Sequence, residues 1–313
     1  MQEVQKKSEN TSYNDEINLL ELVNILWVKK WFLFRVTAFV SICGLIYSLF
    51  LPNIYESRAL LSPTKSSTSI SKSLMNYSGI ANLAGIRLPS QPEEGNTTKA
   101  IEKMRSLSFF ENSILPNILL QDLMALKSWN YETNSIDYDK NIYDASSKVW
   151  VRDYKYPKKQ IPSAQESFMV FIEDVFNIYE DKDTGFFTIS IKHQSPDISK
   201  QWVELIIKEI NDFYRKNDKL ESIRAIDYLN QRIEMTNIAE IKESIVNLLQ
   251  EETKKLALIE ANEFYVFEYI DPPAVMEEKS EPSRAIICIL FAIIGGVFGV
   301  IYILFNHYFI NKD

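Results

Sequence analysis

Residues Ala285–Phe305 read AIICILFAIIGGVFGVIYILF, a run that holds no charged side chain. A helix of about 20 residues crosses a hydrocarbon core of roughly 30 Å. A second such run, Trp31–Leu51, reads WFLFRVTAFVSICGLIYSLFL. Its one charge, Arg35, lies near the start, where a long side chain can snorkel to the headgroups. A buried core helix is the competing reading of each run, and length and composition favour two membrane spans. About 30 polar residues precede the first run and no small-residue cleavage site follows it, so a retained span is expected rather than a cleaved signal peptide.

Two spans put both ends of the chain on one side and the segment between them on the other. Lys29, Lys30 and Arg35 outweigh Arg58 and Lys65 by a small margin. The positive-inside rule then makes the termini cytoplasmic and the large middle segment periplasmic in a bacterial inner membrane. Cys43 and Cys288 are the only thiols. They fall at different depths of their runs, offset by roughly 7 Å, and read as apolar fillers rather than a bridge. Gly295 and Gly299 form GxxxG with Gly296 beside them, which lets helix backbones approach closely. The first span, another copy and a different membrane protein are all open as the partner.

The rest of the chain reads as an α+β domain carrying a long helical hairpin. Residues 1–30 are a cytoplasmic tail. From Asn14 they form an amphipathic helix that either lies on the membrane surface, capped by Asn14, or simply extends the span. A base domain is expected over 52–196. It holds a strand at Tyr55–Leu61, a Ser/Thr-rich loop from Thr64 to Ser73 and a short helix around SGIANLAGI. A helical stretch over Thr98–Ala125 breaks at Pro116. Irregular structure covers 128–165, and a short helix Ala164–Ile172. The strands Val175–Tyr179 and Phe186–Lys192 pair about a turn that ends at Gly185.

A hairpin spans 197–262. Its first helix starts at Asp197 as cap, carries the stripe Trp202, Ile206, Ile210, Phe213, Leu220, Ile223 and Leu229, and runs to about Thr236, with Asn217-Asp218 as the one candidate break. Its second helix runs from Ile238 to about Asn262. A returning strand at Phe264–Ile270 pairs with the strand after the first span. A proline-rich linker containing Pro272, Pro273 and Pro282 completes 263–284, and a cytoplasmic tail follows Phe305.

Much chemistry is excluded by composition. Net charge is −8, whereas a nucleic-acid surface needs a positive field. Two cysteines and two histidines leave little for a metal site or a disulfide framework, and no cofactor is expected. No phosphate loop, HExxH, GxSxG or CxxC occurs. His193 and Ser195 are conceivable as a catalytic pair, but a strand points neighbouring side chains to opposite faces. Asp181, Asp183 and Gly185 begin like a calcium loop and then fail it at Gly185 and Lys192. The expectation is a protein that is not an enzyme. A sensor lacks an output module within these residues.

Five blocks resemble the Wzz family, the polysaccharide co-polymerases that set lipopolysaccharide O-antigen chain length. They are INLLELVNILWVKKW (Ile17–Trp31), YESRALLSP (Tyr55–Pro63), SGIANLAGI (Ser78–Ile86), Asp181–Asn211, and YIDPPAVMEEKSEPSRA (Tyr269–Ala285). The family's proline/glycine signature maps onto Pro273, Pro282, Gly295 and Gly299. The sequence departs from it at Met276, Glu281, Ser283 and Gly299, where the family has Pro, Ser, Lys and Ala. The resemblance implies an α+β base with a long helical hairpin and a homo-oligomeric ring of about eight copies. It also implies partnership with the Wzy polymerase, contact with membrane lipids and, as an open point, the growing undecaprenyl-diphosphate-linked glycan. The alternative is a capsule or exopolysaccharide co-polymerase served by a separate kinase.

Overall fold

The computed structural model describes residues 19–64 and 96–310. The expected cap at Asn14, the Ser/Thr-rich loop beyond Thr64 and the SGIANLAGI helix lie outside them. The chain divides into two compact units, one of residues 1–52 with 282–313 and one of 53–281.

The first unit opens with helices α1 (Leu19–Val28) and α2 (Lys30–Phe50). They are separate because Lys29 leaves helical geometry, at φ −96° and ψ 17°. Lys30 Nζ turns back over the Trp27 ring at 4.7 Å. Trp27 and Trp31 are both exposed, as interfacial aromatics are.

The second unit is built on a four-stranded antiparallel sheet. Strand β1 (Tyr55–Pro63) buries Ser57, Ala59 and Leu61 on one face by simple alternation. Helix α3 (Asn96–Met104) follows. The expected helical stretch to Ala125 breaks earlier and more often than Pro116 alone predicts. Ser106 caps a new turn by accepting from Phe109 N. A π-type turn at Phe110–Ile114 and a 3₁₀ turn at Leu115–Asn117 precede α4 (Leu120–Met124).

Residues 128–165 are not irregular throughout, as the sequence led us to expect. Strands β2 (Leu126–Asn130) and β3 (Ser135–Tyr138) form one hairpin, and β4 (Tyr143–Asp144) with β5 (Val149–Trp150) another. The strands are too short and too exposed to show a period-2 pattern. The turn chemistry was the available signal: Asn130 Oδ1 accepts from Glu132 N, and Asn134 sits at φ 46°.

Helix α5 (Ala164–Val170) leads through a π-type turn into β6 (Phe176–Glu180), which pairs with β7 (Phe187–His193). Gly185, at φ +70°, closes their turn. β7 pairs with β1 from Tyr55↔His193 to Leu61↔Phe187.

Helix α6 (Pro196–Met235) is one unbroken rod of 40 residues, roughly 60 Å long. Ser195, not Asp197, is its cap: Ser195 Oγ accepts from Ile198 N and Pro196 occupies the first turn. The Asp197 carboxylate instead accepts from Asn134 Nδ2 at 2.8 Å. The expected break at Asn217-Asp218 is absent. An aspartate breaks helices by bonding its own backbone, and here Asp218 accepts from the Tyr265 hydroxyl. The first part of the α6 stripe, Trp202, Val203, Ile206, Ile207 and Ile210, lies buried with the sheet residues Leu61, Ile189 and Ile191. Beyond it Leu220 and Ile223 of the same stripe are exposed. Helix α7 (Ala239–Ala261) returns along α6. The two share a small core of Leu229, Ile245 and Leu248.

Strand β8 (Phe267–Asp271) then adds to β1, giving the order β6-β7-β1-β8. It starts three residues later than the sequence suggested, because Asn211 occupies the backbone just before it. Asn211 Oδ1 accepts from the N–H groups of Tyr265, Val266 and Phe267 at 3.2, 2.7 and 3.0 Å. Its Nδ2 donates to Ile207 O and Phe267 O.

The last helix, α8 (Arg284–Phe305), returns to the first unit and packs along α2.

Candidate functional site

Two arrangements were singled out from sequence, the glycine run of α8 and the prolines before it. The glycines and Pro282 lie in the first unit, Pro272 and Pro273 in the second.

Gly295 and Gly299 are buried against α2. A methyl group on Gly295 would come within 2.9 Å of Val40 Cβ and 3.2 Å of Thr37 Cα. One on Gly299 would meet Leu33 Cδ1 at 2.6 Å. Gly44 of α2 answers from the other side, where a methyl would meet Phe291 Cγ at 2.4 Å. Gly296 faces elsewhere, its nearest neighbour being Thr37 Oγ1 at 3.9 Å. Leu33 is thus opposite Gly299 and Gly44 opposite Phe291, so the helices run antiparallel. Of the three partners left open for the glycines, the first run of the same chain is the one seen here. Phe32 stacks on Tyr302 at 5.3 Å and Tyr47 tilts against Phe291 at 6.2 Å. Gly44 was missed as a contact residue; a glycine inside a span is itself the signal. The same register leaves Cys43 and Cys288 about four residues apart in depth, roughly 6 Å, and both are free thiols.

The prolines lie elsewhere. Pro273 is buried and Pro272 exposed in the segment after β8, while Pro282 falls in the first unit. Within the second unit this segment is strapped to the start of β1. Ser57 Oγ donates to Ala274 O at 2.8 Å. Ile54 N donates to Glu281 O at 2.9 Å, and Ser280 N to Ile54 O at 2.8 Å. Lys192 Nζ meets Glu281 Oε1 at 2.6 Å. The first and last residues of the unit are therefore clamped together.

The catalytic candidates dissolve into structure. His193 is buried, with its ring 5.3 Å from that of Trp202. Its Nδ1 accepts from Ser195 N at 2.9 Å, and Nε2 donates to Asp122 O at 3.2 Å. These contacts hold one neutral tautomer, with no lone pair left to activate the Ser195 hydroxyl, which caps α6. Burial pushes the His193 pKa down, against the smaller opposing effect of the two backbone bonds. A lowered folded pKa means the unfolded chain binds the proton more readily. The stabilisation is complete above the unfolded histidine value of about 6.5 and is lost as pH falls toward the folded value. We expect the unfolding temperature to drop between pH 7.5 and 5.5. His193→Asn, which keeps an acceptor for Ser195 N, should lower stability at both pH values and flatten that drop. Thermal unfolding of the full chain in nanodiscs at the two pH values checks it.

Burial shifts other groups of the unit as well. Burial raises the Asp122 carboxyl, although it accepts from the Tyr138 hydroxyl at 2.6 Å. Burial, with Glu204 nearby, pushes Tyr269 up to about 12. Asp181 Oδ1 accepts from Asp183 N, as a turn requires. Among the described residues no three His, Cys, Asp or Glu side chains gather as a metal site would need.

What the chain does offer is an antiparallel pair of apolar helices, of 21 and 22 residues, and a mixed unit held shut at its two ends. Comparison with known proteins finds likenesses to part of the chain and at low identity. Residues 15–114 match the family model Wzz, described as chain length determinant protein. Over that stretch the chain is similar to the Wzz chain length determinant domain. The match runs from before α1 through α2, β1 and α3 to the π-type turn at Ile114. Among solved structures, a "full-length bacterial polysaccharide co-polymerase" is similar at 13% identity and TM-score 0.41, covering 95% of this chain and 99% of that one. A "Fragment of WzzB, Polysaccharide Co-polymerase from Salmonella Typhimurium" is similar at 10% identity and TM-score 0.31, covering 73% and 100%. A search of curated proteins found no match.

Proposed function

We propose that this Wzz-family chain is a non-catalytic regulator of O-antigen chain length in lipopolysaccharide biosynthesis, acting as an oligomeric inner-membrane scaffold for the Wzy polymerase. The observation that carries the reading is the Wzz domain over residues 15–114. Two further features support it. The antiparallel α2–α8 pair suits a two-pass protein with both termini cytoplasmic and residues 53–281 periplasmic. The α6–α7 hairpin keeps Leu220, Ile223, Tyr228, Val246 and Leu258 exposed, apolar area suited to neighbouring copies in a ring. Gly295 and Gly299 act here by holding the two spans together, and Pro272, Pro273 and Pro282 by shaping the approach to the second span. Polymer length is then a property of the assembly and of how long it keeps the polymerase engaged with the undecaprenyl-diphosphate-linked glycan.

Deleting the gene and running lipopolysaccharide on a silver-stained gel tests this. A modal cluster of bands should collapse to a short, graded ladder and return on complementation. An unchanged ladder with altered capsule or exopolysaccharide would reject the O-antigen reading in favour of a co-polymerase working with a separate kinase.

A further inference from the structure

The chain is acidic overall, with a net charge of −8, yet one loop of the mixed unit gathers basic and aromatic side chains. Residues 151–161, between β5 and α5, read VRDYKYPKKQI. Tyr156 is 95% exposed, Ile161 59% and Tyr154 56%. Lys155, Lys158 and Lys159 are exposed as well. Asp153 is the only acid in the loop.

The loop is held in shape at its neck. Arg152 Nε donates to Gln160 O at 2.9 Å, and an Arg152 terminal nitrogen donates to Lys159 O at 2.6 Å. The guanidinium also grips both oxygens of Glu166, at 2.6 and 2.7 Å. Lys158 Nζ lies 3.5 Å from the same carboxylate. Gln160 Nε2 donates to Trp150 O at 2.7 Å. The Arg152 hydrogen bonds hold the Glu166 carboxyl below the usual carboxylate range, so the neck stays charged and tied. Such a tie lowers the ordering cost that a free loop would meet on binding.

Every residue from 153 to 161 is exposed, so the loop presents its side chains to solvent. Tyrosine, an aliphatic tip and lysine together are the composition of the water–membrane boundary. The loop's place in the unit agrees. Trp150, at its root, belongs to the small core of Ala125 and Tyr143, with Tyr138 packed on it. From the same pair of hairpins Trp129 packs edge-on to Tyr55 at 5.6 Å. Tyr55 adjoins the Ile54↔Glu281 bridge, where the unit's two ends meet. The apolar segments begin just beyond those ends in the sequence.

We propose that loop 151–161 docks on an anionic lipid surface, with Tyr154, Tyr156 and Ile161 seated among the headgroups and Lys155 and Lys159 against lipid phosphates. This goes beyond length control and does not depend on it. A basic side chain near an anionic surface contributes about fivefold to partitioning, so reversing both lysines should lower the docked-to-free ratio by at least about 25-fold.

The test uses the full chain in nanodiscs, in a Cys43→Ala, Cys288→Ala background with an environment-sensitive fluorophore on Tyr156→Cys. In discs of phosphatidylglycerol and phosphatidylcholine, spin-labelled lipid should quench the fluorophore. In phosphatidylcholine alone quenching should be weak, and Lys155→Glu with Lys159→Glu should abolish it in anionic discs. The same fluorophore on Met235→Cys, at the end of α6, should not be quenched and shows that the label itself does not seek lipid. No quenching at position 156 in anionic discs would overturn the proposal, as would equal quenching in both lipids. A signal that responds only to added acidic polysaccharide would overturn it too.

Discussion

Asn211→Leu is expected to destabilise the chain by roughly 3–6 kcal/mol, the largest single effect the structure predicts. The substitution keeps the branching and heavy-atom count of the side chain but strands three backbone N–H groups, those of Tyr265, Val266 and Phe267, which now share one amide oxygen inside the core. A buried donor left without a partner costs about 1–3 kcal/mol, and relaxation around the site keeps the sum toward the lower part of its range. The carbonyl of Phe267 loses a donor as well. Asn211→Asp separates the two halves of the clamp. It keeps the acceptor and loses the donor, so its cost should fall between wild type and leucine. Thermal and urea unfolding of the full chain in nanodiscs would show the order. Equal stability of Asn211→Leu and wild type would refute the account of how β8 is held to α6.

The second large effect concerns the paired apolar helices. Gly295→Leu puts a branched side chain where even a methyl group meets Thr37 Cα at 3.2 Å. The obstacle is partly backbone, so α2 and α8 must separate rather than a side chain swing aside. Overpacking of this kind costs about 1–3 kcal/mol, here concentrated on the one contact that pairs the helices. Under the proposed function the modal band cluster should be lost while the protein remains in the membrane. Gly296 supplies the control one residue away. Gly296→Ala meets ordinary space and should gain up to about 1 kcal/mol of helix propensity, with the band pattern intact. If Gly295→Leu retains the mode, or Gly296→Ala loses it, the α2–α8 contact is not what the function uses.

Long periodic elements were readable in the sequence, and short ones that rely on distant partners were not. The apolar runs, the two hairpin helices and strands β1, β6, β7 and β8 announce themselves by period or by length. The clamp at Asn211 does not, because a polar residue in a helical pattern looks like a solvated one until β8 arrives 56 residues later. Asp218 misled for the same reason: its local tendency to break a helix is overruled by Tyr265. Ser195 displaced Asp197 as cap once Asn134 engaged the aspartate, a contact made across 63 residues. Of the glycines, spacing singled out Gly295 and Gly299. It could not reveal Gly44 or name the partner, since only the helix pairing shows which residues meet.

The central claim, that this chain imposes a length on a polymer it does not synthesise, is tested most directly in proteoliposomes. The Wzy polymerase and undecaprenyl-diphosphate-linked O-units would be combined with and without the full-length chain, and the products separated by size. The account predicts a broad, decaying distribution from polymerase alone and a clustered mode when the chain is present, with total sugar incorporated little changed. The same broad distribution in both reactions, or polymer formed by the chain without polymerase, would contradict it.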